Sequence, residues 1–231
     1  MPKLILHIGT HKTGTTSVQR FLAANREQLR AQGLYYPSTD VGGRFTDQYA
    51  HHLIAHAIAN TGESLGRTDQ DARAFFDAVR ESTAEGETVV ISAEPMYRHV
   101  LRDEEGLSRG RRAYIRAVRE AIGDFDVTVY AMVRRQDLFL ESLYSEQIMV
   151  RPFAEDVDHF LSVRARQADY AARLAEWGAE FGQDRIKVRP YERSEFGESL
   201  EGYFLEWLGG SRDDTFELGA PRNVTVPREL V

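Results

Sequence analysis

The sequence predicts a single α/β domain, a P-loop-type parallel sheet with helices on both faces. Three observations predict it. Short β-rich runs alternate with stretches of helical period along all 231 residues. The runs Thr88–Ala93 (TVVISA) and Phe125–Val133 (FDVTVYAMV) are apolar enough to be buried on both faces, as strands of a parallel sheet are. The first run, Leu4–Ile8, passes through a loop bounded by Gly9 and Gly14 into a helical pattern. Such a loop aims backbone N–H groups and a helix N-terminus at one spot, which suits a phosphate.

The elements follow in order. Val18, Phe21, Leu22, Asn25 and Leu29 keep helical spacing, so one helix is expected from Thr15 to about Ala31, ended by Gly33. Leu34-Tyr35-Tyr36 before Pro37 reads as a short strand, and Ser38–Arg44 as a loop. A helix is expected from Asp47, carrying His51, His52 and His56. Ala72, Phe75, Phe76 and Val79 mark the next. Strand Thr88–Ala93 stops at Glu94-Pro95. Arg102–Arg112 is charged and reads as a loop or helix start. Tyr114, Ile115, Val118 and Ile122 form a helix face closed by Gly123.

Strand Phe125–Val133 ends at Arg134-Arg135, and Asp137 is placed to cap a helix running to about Val150. Val157, Phe160 and Leu161 mark a short helix. Tyr170, Leu174, Trp177 and Phe181 mark a longer one, stopped by Gly182. Arg185–Pro190 is the last strand. Phe196, Leu200, Tyr203, Phe204, Trp207 and Leu208 line one helix face before Gly209-Gly210. The tail, Pro221–Val231, ends on a helix-start pattern, which leaves open a continuation past Val231. In sheets of this kind ligands bind beyond the carboxyl ends of the strands. Gly9–Gly14, Glu94-Pro95, Arg134-Arg135 and Tyr191-Glu192 should therefore converge.

Composition narrows the function. A formal charge of −7 disfavours general binding to nucleic acid or anionic membranes. There is no cysteine, hence no disulfide, thiolate metal site or cysteine nucleophile. His51-His52 lacks a third ligand at a convincing spacing, so no metal is expected. No apolar run approaches the ~20 residues of a spanning helix. The first strand is too short for a signal-peptide core, and the cytoplasm is the expected compartment.

Gly9 and Gly14 have the glycine spacing of the nucleoside-triphosphate loop GxxxxGK[ST]. Thr15-Thr16 follow, so the usual lysine is missing, and Lys12 lies inside the loop instead. The strand Phe125–Val133 ends in arginines rather than a magnesium-holding aspartate. This cradle fits a nucleotide whose terminal group carries less charge, such as a phosphosulfate.

His7-Ile8-Gly9-Thr10-His11-Lys12-Thr13-Gly14-Thr15-Thr16-Ser17 resembles the 5′-phosphosulfate loop of sulfotransferases that use 3′-phosphoadenosine 5′-phosphosulfate (PAPS). That family's second signature is an arginine at a strand end and a serine eight residues on. Arg134 and Ser142 match it in VRRQDLFLESLYSEQ. The bacterial, carbohydrate-type members look most similar. The resemblance covers Leu4–Gln28 and Thr88–Gln147 well and the rest loosely.

The resemblance implies metal-independent, in-line transfer of a sulfuryl group to an acceptor hydroxyl of a carbohydrate or other small molecule, releasing 3′-phosphoadenosine 5′-phosphate (PAP). It implies that Gly9, Lys12, Thr13, Gly14, Thr15, Thr16 and Ser17 hold the 5′-phosphosulfate, and that Arg134 and Ser142 hold the 3′-phosphate. Lys12 would also stabilise the charge growing on the departing phosphate. Thr15 or Thr16 can equally serve as an N-cap. Arg135 is as readily a salt-bridge partner as a ligand. The proton of the acceptor goes to a general base, one of His51, His52 and Glu94. His51 is favoured over His52 because its spacing turns it inward with Ile54 and Ala55. Glu94 has a second reading, as a carboxylate that orients the loop.

Tyr191 and Arg193, and Arg222-Asn223 in the tail, are further candidates near the nucleotide. The acceptor pocket is assigned to Ser38–Thr46 and Val150–Gln167, where Arg151, Glu155, Asp156, Asp158, Arg164 and Arg166 name no substrate. Two other functions stay open: a P-loop small-molecule or nucleotide kinase, and a non-catalytic nucleotide-binding protein on the same fold.

Overall fold

In the computed structural model, residues 1–150 and 156–217 are described. Arg151, Glu155, Arg222, Asn223 and the tail 221–231 lie outside them. The chain runs β1 (Lys3–His7), α1 (Thr15–Ala24), α2 (Arg26–Ala31), β2 (Leu34–Tyr35), α3 (His52–Ala59), α4 (Asp69–Ser82) and β3 (Thr88–Ser92). It continues through α5 (Pro95–Arg98), β4 (Leu101–Arg102), β5 (Ser108–Gly110), α6 (Arg111–Ile122), β6 (Asp126–Val133), α7 (Gln136–Val150), α8 (Val157–Arg164), α9 (Tyr170–Phe181), β7 (Ile186–Pro190) and α10 (Leu200–Trp207).

Five strands form one sheet in the order β2-β3-β1-β6-β7, every adjacent pair parallel. The predicted α/β class is the observed one. β1 is central: Leu6 stands level with Ile91 of β3 and Val129 of β6. Side chains alternate along a strand, so β1 feeds two cores. Leu4, Leu6 and Ile8 pack with Phe75, Phe76, Tyr114 and Trp177 from α4, α6 and α9. Ile5 packs on the opposite face with Val18, Phe21, Phe204 and Leu205 from α1 and α10. Among the described residues no helix is long and apolar enough to cross a membrane.

Five local expectations change. The single helix 15–31 is two, broken at Asn25, whose backbone leaves the helical region (φ −112°, ψ 30°). Its buried side chain donates to the Phe21 and Glu217 carbonyls (2.8 and 3.0 Å) and accepts from the Glu217 N–H at 2.7 Å. An Asn amide that bonds backbone groups competes with helical bonding in this way. The helix expected from Asp47 begins only at His52, because the His51 N–H donates to the Ser92 carbonyl at the end of β3 (3.0 Å).

The charged stretch after Arg102 holds a small antiparallel hairpin, β4 with β5, whose turn uses Gly106 at φ 79°. Asp137 lies inside the first turn of α7 rather than ahead of it, paired with Arg135 at 2.5 Å. There it still complements the helix dipole. Likewise Phe196 falls outside α10, which Ser199 caps through the Gly202 N–H.

The layering sets a scale for stability. Leu6→Ala empties a site with 0 % exposure between two neighbouring strands, and a loss of about 2–5 kcal/mol is expected. Thr68→Ala removes the reciprocal capping box of Thr68 and Asp71 at the start of α4, for about 1 kcal/mol. Urea unfolding of both variants, with unchanged m-values, checks the order.

Candidate functional site

The two ladders of β1 run on into the loop. The Ala93 N–H donates to the His7 carbonyl (3.0 Å), the Thr10 N–H to the Met132 carbonyl (2.8 Å), and the Met132 N–H to the Gly9 carbonyl (2.7 Å). The loop is thus gripped by the ends of β3 and β6. Inside it, the buried Thr13 hydroxyl donates to the Thr10 carbonyl at 2.6 Å, and the Thr10 hydroxyl to the Met132 carbonyl at 3.1 Å. Toward an anion Thr13 can therefore donate only its backbone N–H.

Gly14 occupies the N-cap of α1 in the left-handed region (φ 67°) and has no side chain to cap with. No acidic residue lies in the first turn. The leading N–H groups of α1 are left to an anion, with the positive end of the helix dipole behind them. Thr16 and Ser17 sit in this turn, partly exposed. Thr15 is buried, and its hydroxyl donates to the Glu94 carboxylate rather than capping the helix.

The other predicted groups gather around this terminus. Lys12, itself left-handed (φ 62°), pairs with Glu146 of α7 at 3.0 Å. Ser142 precedes Glu146 by one helical turn, which puts both on the same face of α7. Arg134 follows β6 and donates to the Lys12 carbonyl at 3.4 Å. Its guanidinium lies 5.8 Å from the centroid of the Tyr191 ring. A Cβ on Gly14 would come within 3.3 Å of the Tyr191 ring and 2.3 Å of Leu200. A Cβ on Gly9 would meet Glu94 at 3.3 Å. The four strand ends converge as expected. Arg135 is turned away in its pair with Asp137.

The three base candidates separate. His51 is fully buried, and both its nitrogens are used. Nδ1 accepts the Ser92 N–H (3.1 Å), so Nε2 carries the proton and donates to the Pro37 carbonyl (3.1 Å). Burial holds its pKa down at about 3. The inward spacing that favoured His51 carried it into the core, where it braces β3 and has no lone pair left for a substrate. His52 is half-buried, with Nε2 3.2 Å from the Gln19 amide nitrogen. Burial lowers its pKa to about 4, partly offset by the charge of Glu94. Only Glu94 stands at the loop itself, bonded to Thr15 and 3.7 Å from His11.

Beneath the loop His7 Nδ1 is 2.8 Å from the Ser92 hydroxyl, which also accepts from the Gln19 amide at 3.0 Å. This buried polar layer couples β1, β3 and α1. Two further site residues were not legible beforehand. Glu146 looked like any charge on a helix until the fold set it against Lys12. His11, next to Lys12 in the loop, carries no separate signal in the sequence. It lines a cavity of about 400 Å³ with Arg98, Leu143, Glu146, Phe160 and Arg164. The α8 part of that wall belongs to the stretch assigned to the acceptor pocket. Ser38–Thr46, assigned with it, contributes nothing to this lining.

No protein-family model matches the sequence, and no curated protein does. Among solved structures, the chain is similar to a sulfotransferase from Alicyclobacillus acidocaldarius, at 15 % identity over 96 % of this chain and 87 % of that one, with a TM-score of 0.50. A sulfotransferase domain from the curacin biosynthetic pathway aligns at 12 % identity over 93 % of this chain and 76 % of that one, with a TM-score of 0.48. At such identity the first likeness speaks for the fold, which is sulfotransferase-like.

Two experiments address this geometry. Gly14→Ala and Gly33→Ala meet similar left-handed angles (φ 67° and 76°), but only the first collides with neighbours. Both should lose about 1–2 kcal/mol from the backbone angle, and only Gly14→Ala should also abolish thermal stabilisation by inorganic pyrophosphate. The second concerns acid. His51 is neutral when folded but takes a proton near its ordinary value of 6.5 when unfolded. Stability should therefore fall as pH drops from about 6.5 toward 3, because the unfolded state binds the extra proton. His51→Gln should be less stable at neutral pH and show a shallower slope across that window in pH-dependent urea melts.

Proposed function

We propose that this chain is a PAPS-dependent sulfotransferase acting on an acceptor hydroxyl. One observation carries the reading: an uncapped helix N-terminus, Lys12 and Arg134 meet at a glycine-bounded loop that lacks the lysine after its second glycine. The fit to the donor rests on these residues. The α1 N–H groups and Lys12 suit a 5′-phosphosulfate. Arg134 with Ser142 suits a 3′-phosphate, since a guanidinium binds a phosphate bidentately. The Tyr191 ring closes the same side. PAPS, when bound, supplies the sulfuryl group.

The protein's own residues then have distinct tasks. Lys12 exchanges the Glu146 carboxylate for a phosphate. That pair is weak, since the Glu146 side chain is 51 % exposed. Lys12 and the helix terminus stabilise negative charge on the leaving side of the sulfur. Glu94 takes the acceptor's proton as the acceptor oxygen bonds to sulfur and the sulfur–phosphate oxygen bond breaks. His11, between Glu94 and the cavity, orients the acceptor. Thr15 holds the carboxylate in place. The acceptor enters through the cavity walled by α7 and α8.

One observation favours a kinase as the second reading: Glu94 lies by the loop, where a carboxylate can hold magnesium. The experiment is a steady-state assay with PAPS and a panel of hydroxyl acceptors, beside ATP with magnesium. Lys12→Ala and Arg134→Ala should each lower turnover by more than 100-fold, about 3 kcal/mol of transition-state stabilisation. Glu94→Gln should lower kcat by roughly 10²–10⁴-fold with PAP affinity kept. Full activity in both cation variants, or transfer only from ATP with magnesium, overturns the assignment. Tight PAP binding without turnover on any acceptor would favour the non-catalytic reading.

A further inference from the structure

Outside the loop, three potential metal ligands meet where α3, the turn Gly62–Ser64 and the residue after α5 come together. His56 Nδ1 lies 2.9 Å from His99 Nε2 and 3.0 Å from Glu63 Oε2, and all three ligand atoms lie within 4.8 Å of one another. Both histidines are buried, at 8 and 9 % exposure, while Glu63 reaches the surface. The Thr61 hydroxyl is 3.5 Å from the same His56 nitrogen.

Hydrogen bonding does not account for this arrangement. An imidazole nitrogen offers one in-plane site, either a proton or a lone pair. If His99 donates to His56 Nδ1, the Glu63 carboxylate faces a lone pair at 3.0 Å. If Nδ1 donates to Glu63, His99 loses its partner there. One proton serves one contact, and two are made.

A cation serves all three acceptors together. Ligands about 2.1 Å from one tetrahedral ion lie about 3.4 Å apart, so small side-chain rotations that open the 2.9 and 3.0 Å spacings around His56 and bring Glu63 and His99 closer together would seat an ion among the three. Imidazole with one carboxylate suits a divalent first-row ion, zinc above all. We infer that His56, Glu63 and His99 form a zinc site, with the remaining positions open to water on the Glu63 side. Arg98 competes for Glu63 from 3.9 Å, on a side chain 45 % exposed that can turn to solvent. The site ties together three separate chain segments and takes no part in the proposed transfer. It does not depend on that assignment.

The test is calorimetric titration of zinc chloride into the full chain after chelation and dialysis, with thermal melts alongside. One equivalent should bind, and the melting temperature should rise with zinc. His56→Ala and His99→Ala should remove both effects, with circular dichroism checking that the variants fold. Glu63→Gln lies at the surface and should weaken binding by roughly 10-fold or more. It decides the matter if the histidine variants do not fold. No saturable binding at millimolar zinc overturns the site, as does affinity unchanged in Glu63→Gln or in the folded histidine variants.

Discussion

The site depends on one constraint, the double parallel pairing of β1. A strand held on both sides has its last residue fixed, and here the pairing does not stop at that residue. Ala93 and Met132 bond the backbone on either side as it leaves the sheet, so the loop between Gly9 and Gly14 starts from a defined position and direction. Thr10 and Thr13 spend their hydroxyls on holding the loop's own shape. With that internal wiring complete, the N–H groups at the head of α1 remain for a ligand. A loose loop would lose entropy on binding; this one has lost it on folding.

Under the loop the protein keeps polar side chains where apolar ones would pack more simply. His7, Ser92, Gln19 and His51 join β1, β3 and α1 by hydrogen bonds within the core. Two atoms of this layer, His7 Nε2 and Gln19 Oε1, are buried without a partner among the described residues. Unsatisfied buried groups cost stability, and here they lie directly below the loop between Gly9 and Gly14. Polar networks of this kind are directional, so they constrain strand and helix orientation more closely than methyl groups do.

What the sequence disclosed follows the range of each interaction. The strand runs, the loop and the place of Arg134 were legible because each is set by neighbours a few residues away. Lys12 was legible by its displacement within a familiar spacing. The partners were not: Glu146 faces Lys12 across 134 positions, and Glu94 meets Thr15 across 79. His51 shows the limit of periodicity. Its inward orientation was read correctly, but the same spacing cannot tell a cleft from a core. Asn25 fitted the helical period and still ended the helix, because its partner, Glu217, lies 192 residues on.

Glu146 serves two places at once. It neutralises Lys12 in the loop and lines the cavity beside α8. An anion that takes Lys12 therefore releases a carboxylate into the cavity wall. Occupancy of the loop changes the charge met by whatever enters the cavity, and linkage makes the effect mutual and equal in free energy. Under the proposed function, a single glutamate would make the loop and the cavity thermodynamically one.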